Sequence, residues 1–154
     1  MYWSSPSLGS IRRAEMDGSN PLTLVGGLSH PRAITIDFAS RRLYWMDWGY
    51  YRMQSSDLDG RDIQLVLQLG SSGCLGHAVW NDRIYFGNDG HRLQSCTKDG
   101  QDIQTLYTAT GNGNIGRISV VPVVDQPATR TSDYAGLNCS TLGVLTRTSY
   151  RCLA

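Results

Sequence analysis

An aromatic run recurs along this chain at a spacing near forty residues, and the recurrence restricts the folds open to it. The run is complete at 43–47, Leu-Tyr-Trp-Met-Asp, and degenerate copies begin at Tyr2 and Tyr85. The leading tyrosines are therefore 42 and 41 residues apart, a period typical of repeat architectures. The residues assigned to the repeated motif are Tyr2, Trp3, Tyr44, Trp45, Asp47, Tyr85, Phe86 and Asn88.

Other elements recur at the same spacing. An Asp-Gly pair follows each aromatic run, ending at Gly18, Gly60 and Gly100, and a short apolar segment, predicted to be a strand, follows each pair at 22–25, 63–67 and 103–107. Glycine supplies the positive φ of a tight turn, so each pair is interpreted as a hairpin turn. Runs of four to six β-prone residues between turns predict about four antiparallel strands per period. Four-stranded meanders repeated at this length are typical of β-propeller blades.

The aromatic strand is predicted to be buried on both faces. Period-2 alternation sends Tyr44 and Met46 to one face and Trp45 and Asp47 to the other. Large side chains at consecutive positions fit a strand that packs against a sheet on each side. Asp47 ends the strand, where its carboxylate is expected to accept backbone N–H groups and fix the hairpin.

These residues resemble the Tyr-Trp-Thr-Asp (YWTD) propeller repeats of the low-density-lipoprotein receptor family. The segment Leu28-Ser29-His30-Pro31 and a strand ending at Asp37 fit the same pattern. The resemblance covers residues 1–124 and implies an all-β fold, about three blades of a six-bladed ring, with the remaining blades outside this chain. Uncovered blade faces and strand edges would then make the chain associate.

The C-terminal residues differ from the repeats. The resemblance implies a linker at 125–130 and a degenerate epidermal-growth-factor-like module at 131–154, with a disulfide between Cys139 and Cys152. Asn138 satisfies the N-glycosylation pattern. Cys74 and Cys96 are expected to remain thiols, because a meander places them two strands apart at opposite ends.

Composition and motifs exclude several functions. The 154 residues carry a net charge of +1 with basic and acidic residues interspersed along the sequence, which disfavours nucleic-acid binding. No apolar run is long enough to span a membrane and no signal peptide precedes the first strand, so a piece of a larger secreted or membrane-anchored protein is expected. No metal, cofactor or catalytic residue is predicted: the acidic segment 57–62 lacks EF-hand spacing. His30, His77 and His91 are interpreted as turn or surface residues.

The candidate ligand-binding residues are Trp48, Tyr50, Tyr51 and Arg52, an aromatic and basic group on one turn. Packing of Trp48 against a neighbouring blade is the competing interpretation. The resemblance implies a non-enzymatic, extracellular or cell-surface module that binds protein ligands for endocytosis or signalling co-reception. The alternatives are a propeller of a matrix or basement-membrane protein, or a propeller hydrolase with metal ligands near its channel. Apolar Ile34, Val79 and Val120 on the innermost strands disfavour the hydrolase.

Overall fold

The computed structural model describes residues 1–70, 74–88, 91–110, 115, 118–121, 142–145 and 150–153. Within them the chain forms short β-strands, with one turn of 3-10 helix at Pro6–Leu8. The strands are β1 (Tyr2–Ser5), β2 (Ser10–Arg13), β3 (Leu22–Val25), β4 (Pro31–Asp37), β5 (Arg42–Asp47), β6 (Arg52–Asp57), β7 (Gln64–Gln68), β8 (Cys74–Trp80), β9 (Arg83–Asn88), β10 (Arg92–Thr97), β11 (Gln104–Thr108), β12 (Val120–Val121), β13 (Leu142–Leu145) and β14 (Tyr150–Leu153).

Strands that follow one another in the chain pair side by side in antiparallel sheets. Sheet 1 contains β1 to β3, sheet 2 contains β4 to β7, and sheet 3 contains β8 to β11. The three copies of the aromatic run lie on β1, β5 and β9, each of which pairs with the strand that follows it. The predicted all-β fold of repeated antiparallel sheets is confirmed. Sheet 1 has three strands, because β1 holds the position that β5 holds in sheet 2.

Both faces of β5 are buried, because sheet 2 packs between its two neighbours. Leu43 and Trp45 pack against sheet 1, and Tyr44 and Met46 pack against sheet 3. All four side chains are at most 1% exposed. The large side chains of consecutive residues on this strand therefore pack into two different hydrophobic cores, as the alternation of side chains predicts. The main partners are Ile11, Val25 and Leu28 in sheet 1 and Cys74, Ile84, Phe86 and Cys96 in sheet 3.

The Asp-Gly turns touch the last strand of the preceding sheet. Gly60 and Gly100 have φ values of +78° and +81°. A Cβ atom on Gly100 would lie 1.7 Å from the Val66 carbonyl oxygen, and one on Gly60 would lie 2.6 Å from that of Leu24. Glycine is thus required for the positive φ and for the close approach. Gly18 has a φ of +87° but meets nothing within 4 Å.

Asp47 joins two parts of the chain that are distant in sequence. Its carboxylate is fully buried and accepts the backbone N–H groups of Ser29 at 3.1 Å and His30 at 2.9 Å. Both donors lie in the connection between β3 and β4. The expectation that this carboxylate fixes its own hairpin is wrong in that detail, because the N–H of Tyr50 bonds to the carbonyl oxygen of Asp47 instead.

A second polar cluster repeats in sheets 2 and 3. An arginine that opens the second strand forms an ion pair with an aspartate ahead of the fourth strand, at 2.7 Å in sheet 2 and 2.8 Å in sheet 3. The same guanidinium donates to a serine on the third strand. The hydrogen bond from the arginine lowers the pKa of each aspartate. The members are Arg42, Ser55 and Asp62 in sheet 2 and Arg83, Ser95 and Asp102 in sheet 3.

Ion pairs also connect neighbouring sheets. Arg13 of sheet 1 lies 2.7 Å from Asp59 of sheet 2, and Lys98 of sheet 3 lies 2.5 Å from Asp37 of sheet 2. Burial opposes ionisation of Asp37, but hydrogen bonds from Lys98 and Ser40 outweigh it, so its pKa is lowered. Each pair links a turn of one sheet to its neighbour.

The strand order keeps two cysteines apart. In register, Cys74 lies opposite Asn88 and Cys96 lies opposite Ile84, at the two ends of β9. Four residues of strand span about 13 Å, which is too far for a disulfide. Both are buried thiols, and burial raises the pKa of Cys96 to about 12.

The strands nearest the C-terminus lie in a further sheet, in the order β12-β13-β14. β13 pairs with β12 and with β14, antiparallel in both cases. The predicted glycosylation site Asn138 and the predicted bridge residue Cys139 lie outside the described residues, as does the linker at 125–130. The side chains of Asn88 and Cys152 are likewise outside the description.

Candidate functional site

Antiparallel pairing sorts the turns onto two edges of the sheets. In register, Asp47 faces both Pro31 and Arg52, so the β3–β4 connection lies beside the β5–β6 turn. We call this the Trp48 edge; its described residues are 5–10, 26–32, 47–52, 69–70, 91–92 and 108–110. The opposite end of the same strands is the Asp-Gly edge, formed by residues 13–22, 37–42, 57–64, 80–83 and 97–104.

The four predicted ligand-binding residues lie together on the Trp48 edge. The guanidinium carbon of Arg52 is 4.7 Å from the ring centroid of Tyr50, and the ring centroids of Trp48 and Tyr51 are 6.1 Å apart. Tyr50 is 52% exposed. The side-chain guanidinium of Arg52 also lies 3.6 Å from the buried carboxylate of Asp47. The turn therefore presents aromatic and cationic surface to solvent.

Arg32 completes this group, and sequence reasoning missed it. Its guanidinium carbon lies 5.2 Å from the ring centroid of Trp48, and the residue is exposed. In register it lies opposite Met46, but the pairing shifts between Arg32 and Thr35. Counting residues back along an ideal strand would therefore misplace it, because the irregularity cannot be read from the sequence. Trp48 contacts the side chains of Arg32 and Tyr51, both of which belong to its own sheet.

The conformation of this turn is fixed by its neighbours. A Cβ atom on Gly49 would lie 2.0 Å from the hydroxyl oxygen of Ser29, so only glycine fits against the β3–β4 connection. Tyr51 has a φ of +50°, which is uncommon for a bulky residue. The side-chain amide of Gln68 donates to the Tyr50 carbonyl at 3.0 Å and holds the turn against β7. The aromatic group is thus positioned before any partner arrives.

A cavity of about 470 Å³ lies along the innermost strands. His77 in β8 is buried, and this burial lowers its pKa to about 4. Its Nε2 lies 3.3 Å from the Tyr44 carbonyl oxygen, and its Nδ1 has no hydrogen-bond partner. The interpretation of His77 as a turn or surface residue is therefore wrong. The residue lies within β8 and is 5% exposed, and its neighbours Gly76 and Ala78 are also buried. The lining residues are Ala33, Ile34, Thr35, Gly76, His77, Ile118 and Ser119.

The other two histidines lie in connections, as expected. His30 is exposed between β3 and β4, and His91 precedes β10. In the part of the chain that the structure describes, no group of three or more His, Cys, Asp or Glu residues is placed to hold a metal ion. Among the same residues, no helix has the length and hydropathy to cross a membrane.

The sheets, their order and their shared cores define this chain as a set of β-propeller blades. Residues 1–38 match the family described as low-density lipoprotein receptor repeat class B. The predicted resemblance to the low-density-lipoprotein receptor family is therefore confirmed.

Two kinds of relative match by sequence. Protein cueball of Drosophila yakuba is 36% identical over 92 residues, which span 56% of this chain and 14% of that protein. The vitellogenin receptor of Solenopsis invicta is 29% identical over 92 residues, spanning 56% of this chain and 5% of the receptor. The matched part of this chain thus corresponds to a small share of each relative.

Solved structures share the fold. A chain of a nidogen/laminin complex superposes with a TM-score of 0.67 at 23% identity, covering 76% of this chain and 46% of that one. A virginiamycin B lyase from Staphylococcus aureus superposes with a TM-score of 0.64 at 12% identity, covering 77% of this chain and 41% of the lyase. At these identities the likeness concerns the fold alone.

Proposed function

We propose that this chain is a non-enzymatic, extracellular or cell-surface module that binds protein ligands through its Trp48 edge. The observation that carries the proposal is the group of contacting side chains Trp48, Tyr50, Tyr51, Arg52 and Arg32, held in place before binding. Tryptophan, tyrosine and arginine are the residues that most often dominate binding energy at protein interfaces. A fixed turn loses little conformational entropy when a partner docks.

The comparisons support a receptor-type role. A vitellogenin receptor is among the sequence relatives. Endocytic uptake or signalling co-reception by a parent receptor is our specific proposal, and a matrix protein that uses the same edge is the alternative. The enzymatic alternative would need its chemistry at the inner cavity, where His77 is the one titratable side chain among the lining residues that the structure describes.

The test compares two exposed aromatic residues at opposite edges. Tyr50→Ala removes a ring from the Trp48 edge, whereas Phe38→Ala removes a 78% exposed ring from the Asp-Gly edge. Purified extracellular proteins, with laminin among the first, are titrated onto the immobilised chain. We expect a protein that binds to lose tenfold or more in affinity with Tyr50→Ala, about 1.4 kcal/mol, and to be unaffected by Phe38→Ala. The opposite pattern would place binding on the other edge.

A further inference from the structure

The fold separates charges that are interspersed in the sequence. Every acidic residue that the structure describes lies on the Asp-Gly edge, with the exception of Asp47, which is fully buried. The acidic residues of the Asp-Gly edge are Glu15, Asp17, Asp37, Asp57, Asp59, Asp62, Asp82, Asp99 and Asp102.

Part of the negative charge of the Asp-Gly edge is neutralised within the molecule. Four of its nine acidic residues form ion pairs with neighbouring cations at 2.5 to 2.8 Å. The edge nevertheless remains the acidic one of the two. The pairs are Arg13–Asp59, Arg42–Asp62, Arg83–Asp102 and Lys98–Asp37.

The Trp48 edge differs in its charge: Arg32 forms no ion pair within the described residues, and the one carboxylate near Arg52 is that of the buried Asp47, at 3.6 Å. Arg32, Arg52 and Arg92 lie there, and the exposed carboxylates of the described residues are all elsewhere. Arg92 opens β10 at the position that Arg52 holds in β6, so the cationic position recurs from sheet to sheet. Asp89 and Gly90, between β9 and β10, lie outside the described residues.

The environment of two arginines points to carboxylate recognition. The guanidinium carbon of Arg32 lies over the Trp48 ring, and Arg32 forms no ion pair within the described residues. The guanidinium carbon of Arg52 lies over the Tyr50 ring, and its one carboxylate contact, Asp47, is shared with two backbone N–H groups. A cation over an aromatic ring is attracted to the ring face, and the planar fork of a guanidinium matches a carboxylate.

We propose that the partner of the Trp48 edge is an acidic polypeptide segment, in which carboxylates alternate with aromatic or apolar side chains. This inference rests on the proposed function and specifies the chemistry of its ligand. Carboxylates of the segment pair with Arg32 and Arg52, and the apolar side chains pack on the exposed ring of Tyr50. Sulfated polysaccharide fits less well, because the sequence has no run rich in lysine and arginine of the kind typical of heparin sites.

The experiment uses the full chain and three probes. The first is a synthetic peptide of glutamates alternating with tyrosine and leucine, the second is the same peptide with glutamine in place of glutamate, and the third is a heparin oligosaccharide. Each is titrated onto immobilised protein at low salt and again at about 0.3 M salt. We expect the glutamate peptide to bind at least about tenfold more tightly than the glutamine peptide, and to weaken as salt screens the charges.

Arg32→Gln is the deciding variant and Arg61→Gln is its matched control. Both remove one exposed guanidinium, but Arg61 lies on the Asp-Gly edge. Exposed ion pairs contribute little individually, so Arg32→Gln should weaken the glutamate peptide by about two- to fivefold. It should leave the glutamine peptide unchanged, and Arg61→Gln should change neither. Melting curves of both variants check that the fold is intact.

The outcomes separate this inference from the proposed function. Equal binding of the two peptides, or equal effects of Arg32→Gln and Arg61→Gln, would overturn the acidic-partner inference. If the glutamine peptide bound as well and Tyr50→Ala abolished its binding, the edge would remain a protein-binding site of different chemistry. Heparin binding lost in Arg32→Gln, with no peptide binding, would identify a polysaccharide site and overturn the inference. If neither peptide bound and Tyr50→Ala left protein binding unchanged, both proposals would fail.

Discussion

Asp47 shows how one side chain can organise a connection between sheets. Its carboxylate is removed from water, which is costly unless its oxygens accept hydrogen bonds. The N–H groups of Ser29 and His30 supply these hydrogen bonds, and the guanidinium of Arg52 adds an ion pair at 3.6 Å. The aspartate therefore positions the β3–β4 connection and Arg52 together, and so contributes to the geometry of the Trp48 edge.

Asp47→Asn is expected to lower the free energy of unfolding by about 1 to 3 kcal/mol, since it weakens charge-assisted bonds and leaves an amide among backbone donors. Asp82→Asn is the control, because Asp82 is exposed and surface changes usually stay within about 0.5 kcal/mol. Denaturant melts of both variants give the comparison. Equal midpoints for the two variants would mean that the hydrogen bonds of the Asp47 carboxylate do not stabilise the fold.

His77 makes stability depend on pH. Its pKa in the folded chain is about 4 because of burial, below the value of about 6.5 expected when unfolded. The unfolded chain therefore binds this proton first, so the stability contribution is complete above about pH 6.5 and is lost as the pH falls towards 4. The loss is at most about 1.4 kcal/mol per pH unit.

His77→Gln should flatten the pH dependence of the free energy of unfolding between about pH 4 and 6.5. His30→Gln, at an exposed histidine, should keep the dependence of the unmodified protein. Chemical denaturation at several pH values measures both. Parallel curves for the unmodified protein and His77→Gln would contradict the assignment of this slope to His77.

At the scale of the element, the Asp-Gly hairpins of sheets 2 and 3 each pack closely against the preceding sheet. Gly60 of sheet 2 contacts Leu24 of sheet 1, and Gly100 of sheet 3 contacts Val66 of sheet 2. In sheets 2 and 3, the repeated glycine is therefore needed for a contact between sheets as well as for the turn. A side chain at this position would push adjacent sheets apart.

Gly100→Ala and Gly18→Ala form a matched pair, because both residues have φ above +80°. Only Gly100 has a neighbour within 4 Å. Gly18→Ala should cost about 1 to 2 kcal/mol of unfolding free energy for the left-handed conformation alone. Gly100→Ala should cost about 1 to 3 kcal/mol more, because the neighbouring strand must shift. Thermal or denaturant melts test this, and equal losses would exclude a role for the inter-sheet contact.

At the scale of the whole molecule, the three sheets are linked through shared cores. One core joins sheets 1 and 2 around Trp45, and a second joins sheets 2 and 3 around Phe86. Because β5 contributes side chains to both cores, truncating a side chain on one face of β5 is expected to destabilise the sheet that packs on its other face as well. Nearest-neighbour coupling of this kind is typical of repeat architectures.

Trp45→Ala should lower the free energy of unfolding by about 3 to 5 kcal/mol, as large core truncations do. Hydrogen exchange should also show reduced protection of β9, although Trp45 packs on the side of sheet 1. Leu65→Ala, at a 59% exposed position, is the control and should change neither quantity appreciably. Loss of protection confined to sheets 1 and 2 would show that the sheets unfold independently.

The sequence alone determined the repeat, the class of fold and much of the strand placement. The segment 22–25 was predicted as a strand and coincides with β3, and the predictions at 63–67 and 103–107 are displaced by one residue from β7 and β11. These features are local: alternation, turn chemistry and a fixed period depend on residues close in the chain. The aromatic turn of Trp48, Tyr50, Tyr51 and Arg52 could be identified as a candidate binding site from the sequence, because its residues are also close together in the chain.

Only the tertiary structure decided which distant residues share a site. Arg32 reaches Trp48 across an irregular strand pairing, and Asp47 bonds to a connection seventeen residues earlier. His77 became a buried residue because its strand is the innermost of sheet 3, and charges that alternate along the sequence became sorted onto opposite edges. Antiparallel pairing brings together residues that are far apart in the chain, so these contacts depend on register, whereas the repeat itself depends only on local pattern.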